Sequence, residues 1–294
     1  MWLNFSEIEV LVLERLCESS STPGKLSKAI GSKNSFISRA IRKLLEKTMI
    51  IKTGHEISLS ATAQAQSFKK LYDSRPKAKI EKWLCGSAMD VLIVLAGFDA
   101  GTDLDTLAEE ISCTRPTMFK VLKALYSAGI AYKQERTVSI SDRFVDEFAK
   151  SYADGIYQSI VSKVTGHNLS IRVRKCAVLR TDSVEVPQFF TETGVSALAK
   201  HGMPVLRTSY EDYFFNLDMK KTAISIEEEF VHAFLLTLLQ HGQDKTVLAL
   251  FMLKNRAKLN VRKLQNVVKH YNVMNLDGEF AAMREGLEYA EKVG

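Results

Sequence analysis

Residues 25–44 read Lys25-Leu26-Ser27-Lys28-Ala29-Ile30-Gly31-Ser32-Lys33-Asn34-Ser35-Phe36-Ile37-Ser38-Arg39-Ala40-Ile41-Arg42-Lys43-Leu44. Leu26 and Ile30, then Phe36, Ile37, Ala40, Ile41, Leu44 and Leu45, recur at helical spacing. Between the two sets, Gly31 suits the left-handed residue that ends a helix, and Ser32-Lys33-Asn34 opens the next one. The spacing therefore predicts a short helix over Lys25–Ile30, a turn, and a second helix whose apolar positions form one buried stripe. The side opposite that stripe carries Asn34, Ser35, Ser38, Arg39 and Arg42.

Upstream, Ile8, Leu11, Val12, Arg15 and Leu16 keep a 3.6-residue period, and Ser6 and Glu9 have the spacing of a capping box. A Ser-Ser-Ser-Thr-Pro turn ends at residue 23. Downstream, Met49–Lys52 and Glu56–Leu59 flank Thr53-Gly54-His55 and predict a short hairpin. A further helix is expected over Ala61–Tyr72, capped by Ser60.

The unit occurs twice. An offset of 81 residues aligns 26–60 with 107–141 without a gap, placing Leu26, Ile30, Leu44, Lys52, Ser58 and Ser60 on identical residues. Conservative matches include Ile37/Met118, Arg39/Lys120, Ile41/Leu122, Arg42/Lys123 and Ile57/Val138. Two copies of one supersecondary unit explain this pattern. The second equivalent helix spans Thr114–Ser127 and offers Arg115, Thr117, Lys120 and Lys123, while the helix before it carries Asp103, Asp105, Glu109 and Glu110.

The order helix, short helix, turn, helix, two-stranded wing, carried by the 25–31 and 38–44 stretches, resembles the winged helix-turn-helix family of many prokaryotic transcriptional regulators. The resemblance covers roughly residues 5–72 and again about 85–148, close to half the chain. It implies that the second helix of the motif enters the DNA major groove while the wing touches the backbone or minor groove. On these residues, Asn34, Ser35, Ser38, Arg39 and Arg42 are the candidates for base contacts, and Lys28, Lys33, Lys43, Lys52 and His55 for phosphate contacts. Arg115, Thr117, Lys120 and Lys123 are candidates for a second DNA contact, with a protein-contact role for that copy as the other reading. The acidic residues before them would repel phosphates.

Charge follows the same division. The chain of 294 residues has a net charge of +6, but residues 21–80 hold thirteen Lys and Arg against three Asp and Glu. Residues 101–160 hold seven basic against nine acidic, residues 211–229 two against six, and residues 245–276 seven basic with no acidic side chain. The basic run at 245–276 reads as a second nucleic-acid contact or as a solvated face balancing the acidic 211–229 segment. The apolar runs near Val91–Phe98 and Val231–Leu239 fall short of the roughly 18 residues of a membrane span, so no membrane partner is expected. Four cysteines, Cys17, Cys85, Cys113 and Cys176, have no CxxC spacing and fit a reducing cytoplasm.

Beyond residue 163 the pattern changes. Leu169–Leu179 alternates as one strand, Thr191–Leu198 and onward reads as a short helix, and Pro204–Leu206 and Tyr210–Leu217 read as strands. Helices are expected over Ile226–His241, Asp244–Lys254, Val261–Tyr271 and Leu276–Val293. Glu192–Met203 is similar to the Ser-Ala-Leu-x-x-His-Gly stretch of abortive-infection type antitoxins. That resemblance implies a partner module that counters a nucleotidyltransferase toxin while the chain represses its own operon.

Enzymatic signatures are missing: no HExxH, no GxGxxG, no Walker A loop and no GxSxG elbow. Glu227-Glu228-Glu229 sit consecutively on a helix and point about 100° apart, so they suit the helix dipole after a Ser225 cap rather than one metal ion. His232 and His241 read as core or surface residues. The expectation is a non-enzymatic protein with no cofactor or metal. It is mainly α with small β-wings, with tandem winged-helix domains at 1–80 and 81–163 and an α/β plus helical-bundle domain at 164–294. The function expected is sequence-specific DNA binding and transcriptional regulation, with double-stranded DNA as partner and the C-terminal half serving dimerisation or a protein partner. The alternative is a protein-docking module that binds no DNA.

Overall fold

The computed structural model describes residues 3–76, 78–111, 113–203, 209–240, 245–271 and 273–293. The chain is mainly helical with small antiparallel sheets. It divides into two compact units, Met1–Ile160 and Val161–Gly294.

The first unit begins with α1 (Glu7–Glu18), whose Ser6 and Glu9 form the expected reciprocal cap. α2 (Pro23–Ile30) follows and stops at Gly31, which takes a φ of 71°. α3 (Asn34–Glu46) buries Ile37, Ala40, Ile41 and Leu44, each Ile or Leu contributing roughly 1.5–3 kcal/mol. β1 (Ile50–Thr53) and β2 (Glu56–Leu59) pair antiparallel around Gly54-His55, and α4 (Ala63–Ser74) closes the first copy.

A 3₁₀ turn at Ile80–Lys82 leads to α5 (Ala88–Ala96), which is buried along its whole length. The series then repeats as β3 (Thr102–Asp103), α6 (Leu104–Glu110), α7 (Arg115–Ser127), β4 (Ala131–Gln134), β5 (Thr137–Ile140) and α8 (Arg143–Val161).

The 81-residue offset holds residue for residue. α3 maps onto α7, β1 onto β4 and β2 onto β5 with identical bounds, and the pairs Ile50↔Leu59 and Ala131↔Ile140 share one register. The isolated bridge Ser21↔Ile57 recurs as Thr102↔Val138, where it is part of the short third strand β3. The residue that turns the chain out of α3 is Thr48 at φ 54°, and its counterpart after α7 is Gly129 at φ 66°.

Both copies lie within one unit and share a ring cluster. Phe5 lies 5.0 Å from Tyr152 and 6.3 Å from Phe148, and Phe148 lies 5.4 Å from Phe68. Tyr152 Oη donates to the Leu3 carbonyl at 2.8 Å, and Phe5 pairs with Cys85. Lys47, at the end of α3, is 1% exposed and donates to Glu9 at 2.8 Å and to the Asn4 carbonyl at 2.7 Å. Its ammonium sits 4.3 Å from the Phe5 ring centroid.

In the second unit, β6 (Asn168–Val173), β7 (Cys176–Thr181), β8 (Thr191–Glu192) and β9 (Glu211–Asn216) form an antiparallel sheet of order β6-β7-β9-β8. α9 (Gly194–Leu198) connects β8 towards β9, and α10 (Ile226–Leu239), α11 (Lys245–Lys254), α12 (Val261–His270) and α13 (Leu276–Val293) follow. Phe230, Val231, Phe234 and Leu235 of α10 pack with Val178, Phe214, Phe251, Leu264 and Phe280 in the core. A buried Arg180–Asp212 pair at 2.6 Å joins β7 to β9, and the chain Thr193–His232–Tyr271, at 2.7 and 2.6 Å, joins the start of α9, α10 and the end of α12.

Four local expectations are corrected. Phe36 is 44% exposed instead of buried, because Ile37 beside it takes the centre of the stripe. α4 starts at Ala63 with Thr62 at its N-cap, not at Ala61 after Ser60; Ser60 Oγ instead accepts the Thr62 N–H in the preceding turn. Leu169–Leu179 is a hairpin instead of one strand, turning at Arg174 with φ 51°. Thr191–Glu192 belongs to the sheet, so the short helix begins only at Gly194. The strand expected at Pro204–Leu206, His241, and Asp244 lie outside the described residues.

Candidate nucleic-acid interface

Asn34, Ser35, Ser38, Arg39 and Arg42 are all exposed on α3, opposite the buried stripe. The Arg39 guanidinium lies 5.8 Å from the centroid of the exposed Phe36 ring, which braces it by a cation–π contact. α3 packs on α2 and β1, which bring Lys28, on the exposed side of α2, and the hairpin's exposed Lys52 and His55 into the same half of the unit. Lys33 is the exposed N-cap of α3 and makes no side-chain cap bond, and the first turn of α3 contains no acidic residue. The positive end of the helix dipole is therefore left unscreened. Lys43 is half-buried in the last turn.

The hairpin is held firmly. Ser21 and Ile57 exchange backbone hydrogen bonds at 2.9 and 2.8 Å, and Ser20 Oγ donates to Glu56. That contact occupies an acidic side chain next to the basic face.

The thirteen cations of residues 21–80 do not all face solvent free. Lys47 is consumed inside by Glu9, Lys69 by Asp73 and the Cys17 carbonyl, Lys70 by Glu147, and Arg75 by Asp142 and the Ala128 carbonyl. Among the described residues, Lys25, Lys28, Lys33, Arg39, Arg42, Lys43 and Lys52, and Lys79 in the connector, take part in no ion pair. Apart from Lys79, the unspent charge lies on α2, α3 and the hairpin.

The second copy differs. Arg115 at the start of α7 pairs with Asp105 of α6 at 3.1 Å, and Thr117 is half-buried and hydrogen-bonded to Thr114 at 3.0 Å. Lys120 and Lys123 are exposed. Asp103 caps α6 through the N–H groups of Asp105 and Thr106, and those hydrogen bonds hold its carboxyl below the ordinary range. Phe119 and Tyr132, which hydropathy alone places in a core, are 51% and 46% exposed.

In the second unit the acidic and basic stretches largely satisfy each other. Glu227 accepts the Asn260 N–H at 3.0 Å and pairs with Lys263 at 3.2 Å; Glu228 caps Ser225; Glu229 faces His201 at 3.3 Å. The three consecutive glutamates thus face three ways. Lys245 pairs with Glu279 at 2.7 Å.

Residues of the 192–203 stretch have packing roles: Thr193 bonds His232, Ser196 Oγ accepts the Asp212 N–H at 3.0 Å, and Gly202 caps the turn at φ 86°. His232 is fully buried, and burial, with His270 nearby, lowers its pKa to about 3.

No helix among the described residues is long and apolar enough to cross a membrane. Comparison with known protein families, with curated proteins and with solved structures returns no match.

Proposed function

We propose that this chain is a sequence-specific DNA-binding transcriptional regulator of winged-helix type, acting in the cytoplasm and docking through its first copy. The observation that carries the reading is the exposed face of α3. Asn34, Ser35, Ser38, Arg39 and Arg42 stand clear of the buried stripe, beside lysines that no carboxylate neutralises. In this reading α3 lies in the major groove, where Arg39 and Arg42 pair with guanine edges and Asn34 with adenine. Lys28, Lys33, Lys43 and Lys52, with His55, hold the phosphates and set the register. The second unit serves dimerisation or a protein partner. The support for that role is its exposed Leu250, Val261 and Tyr289.

Selection of bound duplexes from a random pool, followed by titration of R39A/R42A, tests the proposal. Loss of the selected site's affinity by on the order of 1–3 kcal/mol for each base contact is expected. Unchanged binding by R39A/R42A together with loss in R115A/K120A would place the reading helix in the wrong copy. Absence of duplex binding at low salt would remove the function altogether.

A further inference from the structure

Position by position, α7 carries Pro116, Phe119, Lys120 and Lys123 where α3 carries Ser35, Ser38, Arg39 and Arg42. The row follows i, i+3, i+4 and i+7, so it forms one strip of helix surface, and all four residues are exposed. The hydrogen-bonding serines have become a proline and a phenylalanine, while the two cations are kept. The hairpin shows the same exchange. Tyr132 stands 46% exposed at the place of Ile51, and Lys133 and Arg136 stand exposed at the places of Lys52 and His55. Among the described residues, Lys120, Lys123, Lys133 and Arg136 take part in no ion pair. Meanwhile the lysines of α2 are lost: Lys25 and Lys28 correspond to Thr106 and Glu109, flanked by Asp105 and Glu110.

This combination excludes the ligand of the first copy and defines another. A duplex presents two phosphate backbones across its groove, and one of them would run against α6 and its carboxylates. A protein partner would have to bury the lysines of the strip, and lysine is depleted in interface cores. A single strand has one backbone, which can follow Lys120 and Lys123 and avoid α6, while its unpaired bases stack on exposed rings. We propose that the α7 and hairpin face of the second copy is a stacking platform for an unpaired nucleic-acid strand, with Phe119 and Tyr132 as the rings and Lys120, Lys123 and Arg136 as the phosphate contacts. Duplex reading by α3 and strand binding by α7 stand or fall separately.

The test is fluorescence anisotropy of the full chain with a labelled oligo-dT of about 20 nucleotides, an oligo-U of the same length and a random duplex, at about 50 mM salt. F119A should weaken strand binding roughly 5- to 150-fold, the value of one lost base–aromatic stack, and leave duplex binding unchanged. F119W should restore it, because indole also stacks. Preference between oligo-dT and oligo-U names the strand as DNA or RNA. R39A/R42A should weaken the duplex and spare the single strand. Because Phe119 is half in solvent, the thermal melt of F119A should match that of the parent. Failure of the full chain to bind either strand, unchanged strand affinity in F119A, no rescue by F119W, or equal loss of duplex and strand overturns the proposal. So does self-association of the chain that F119A abolishes, which would assign the face to a protein.

Discussion

Removing lysines one at a time from the first copy should change the salt dependence of duplex binding by amounts that the ion pairs of the unit determine. In the proposed reading Lys28, Lys33, Lys43 and Lys52 are the lysines that contact phosphates, and none of the four takes part in an ion pair among the described residues. With these four phosphates neutralised, the logarithm of the binding constant should fall against the logarithm of salt with a slope of about −3.6. Between about 50 and 200 mM salt that slope is a loss of roughly 150-fold. K33A should reduce the slope to about −2.7, and so should K28A. Lys70 is the control. It lies in the same basic stretch but is held at 2.6 Å by Glu147, so K70A should leave the slope where it was. Anisotropy titrations over five or six salt concentrations measure each slope. A parent slope shallower than about −1, or a K70A effect equal to that of K33A, would refute the assignment of free charge to this face.

Three further outcomes follow from the packing. K47M should destabilise the first unit by about 3–5 kcal/mol in urea melts, because it strands a buried carboxylate. Burial opposes the ionised Glu9, yet Lys47 together with the Ser6 hydrogen bonds more than offsets this and holds the carboxyl below its ordinary range; for Lys47 itself burial outweighs what Glu9 returns and lowers its pKa. The pair is therefore worth little as a pair, and E9Q/K47M should recover most of the loss; additive effects would contradict this. Acidification should weaken the second unit. Below about pH 6.5 the unfolded chain protonates His232, whereas the folded chain does so only near pH 3. Stability present above pH 6.5 is thus lost as pH falls through this window, by up to about 1.4 kcal/mol per unit. H232Q should flatten that slope in denaturant melts followed by circular dichroism between pH 7 and 4, with His270, lowered by burial to about 4, supplying the remainder. G155A should lower the melting temperature even though alanine favours a helix by about 1 kcal/mol, since a Cβ at Gly155 would overlap the buried side chain of Gln64.

The repeat, the Ser6–Glu9 capping box, the Ser225 cap and the helix-turn-helix order were legible in the sequence because they rest on local rules. Periodicity places a stripe, Gly31 ends a helix, and Ser6 and Ser225 cap one. The exposure of Asn34, Ser35, Ser38, Arg39 and Arg42 was legible for the same reason, since the face opposite Ile37, Ala40, Ile41 and Leu44 follows from helical geometry alone. What failed depended on choices between neighbours. Phe36 and Ile37 are adjacent and about 100° apart, so only one can sit at the centre of the stripe, and composition does not say which. The turn at Arg174-Lys175 has no glycine or asparagine, and its charges imitate strand alternation. Lys47 looks like one more surface cation until Glu9, 38 residues away, is brought against it. Long-range pairing of this kind leaves no local trace, and it decides how much of a basic stretch is available outside.

The ring cluster has a consequence for how the first unit comes apart. Phe5 and Phe68 belong to the first copy, Phe148 and Tyr152 to the last helix of the second, and the Leu3 carbonyl is the acceptor for Tyr152. Each repeat buries its own stripe, Ile37, Ala40, Ile41 and Leu44 in one and Met118, Leu122 and Leu125 in the other, and the ring cluster couples the two. Hydrogen exchange should find the slowest amides of both copies opening together as one cooperative block. A proteolytic nick in the connector should not liberate two stable halves, since each would carry half of an aromatic core into water.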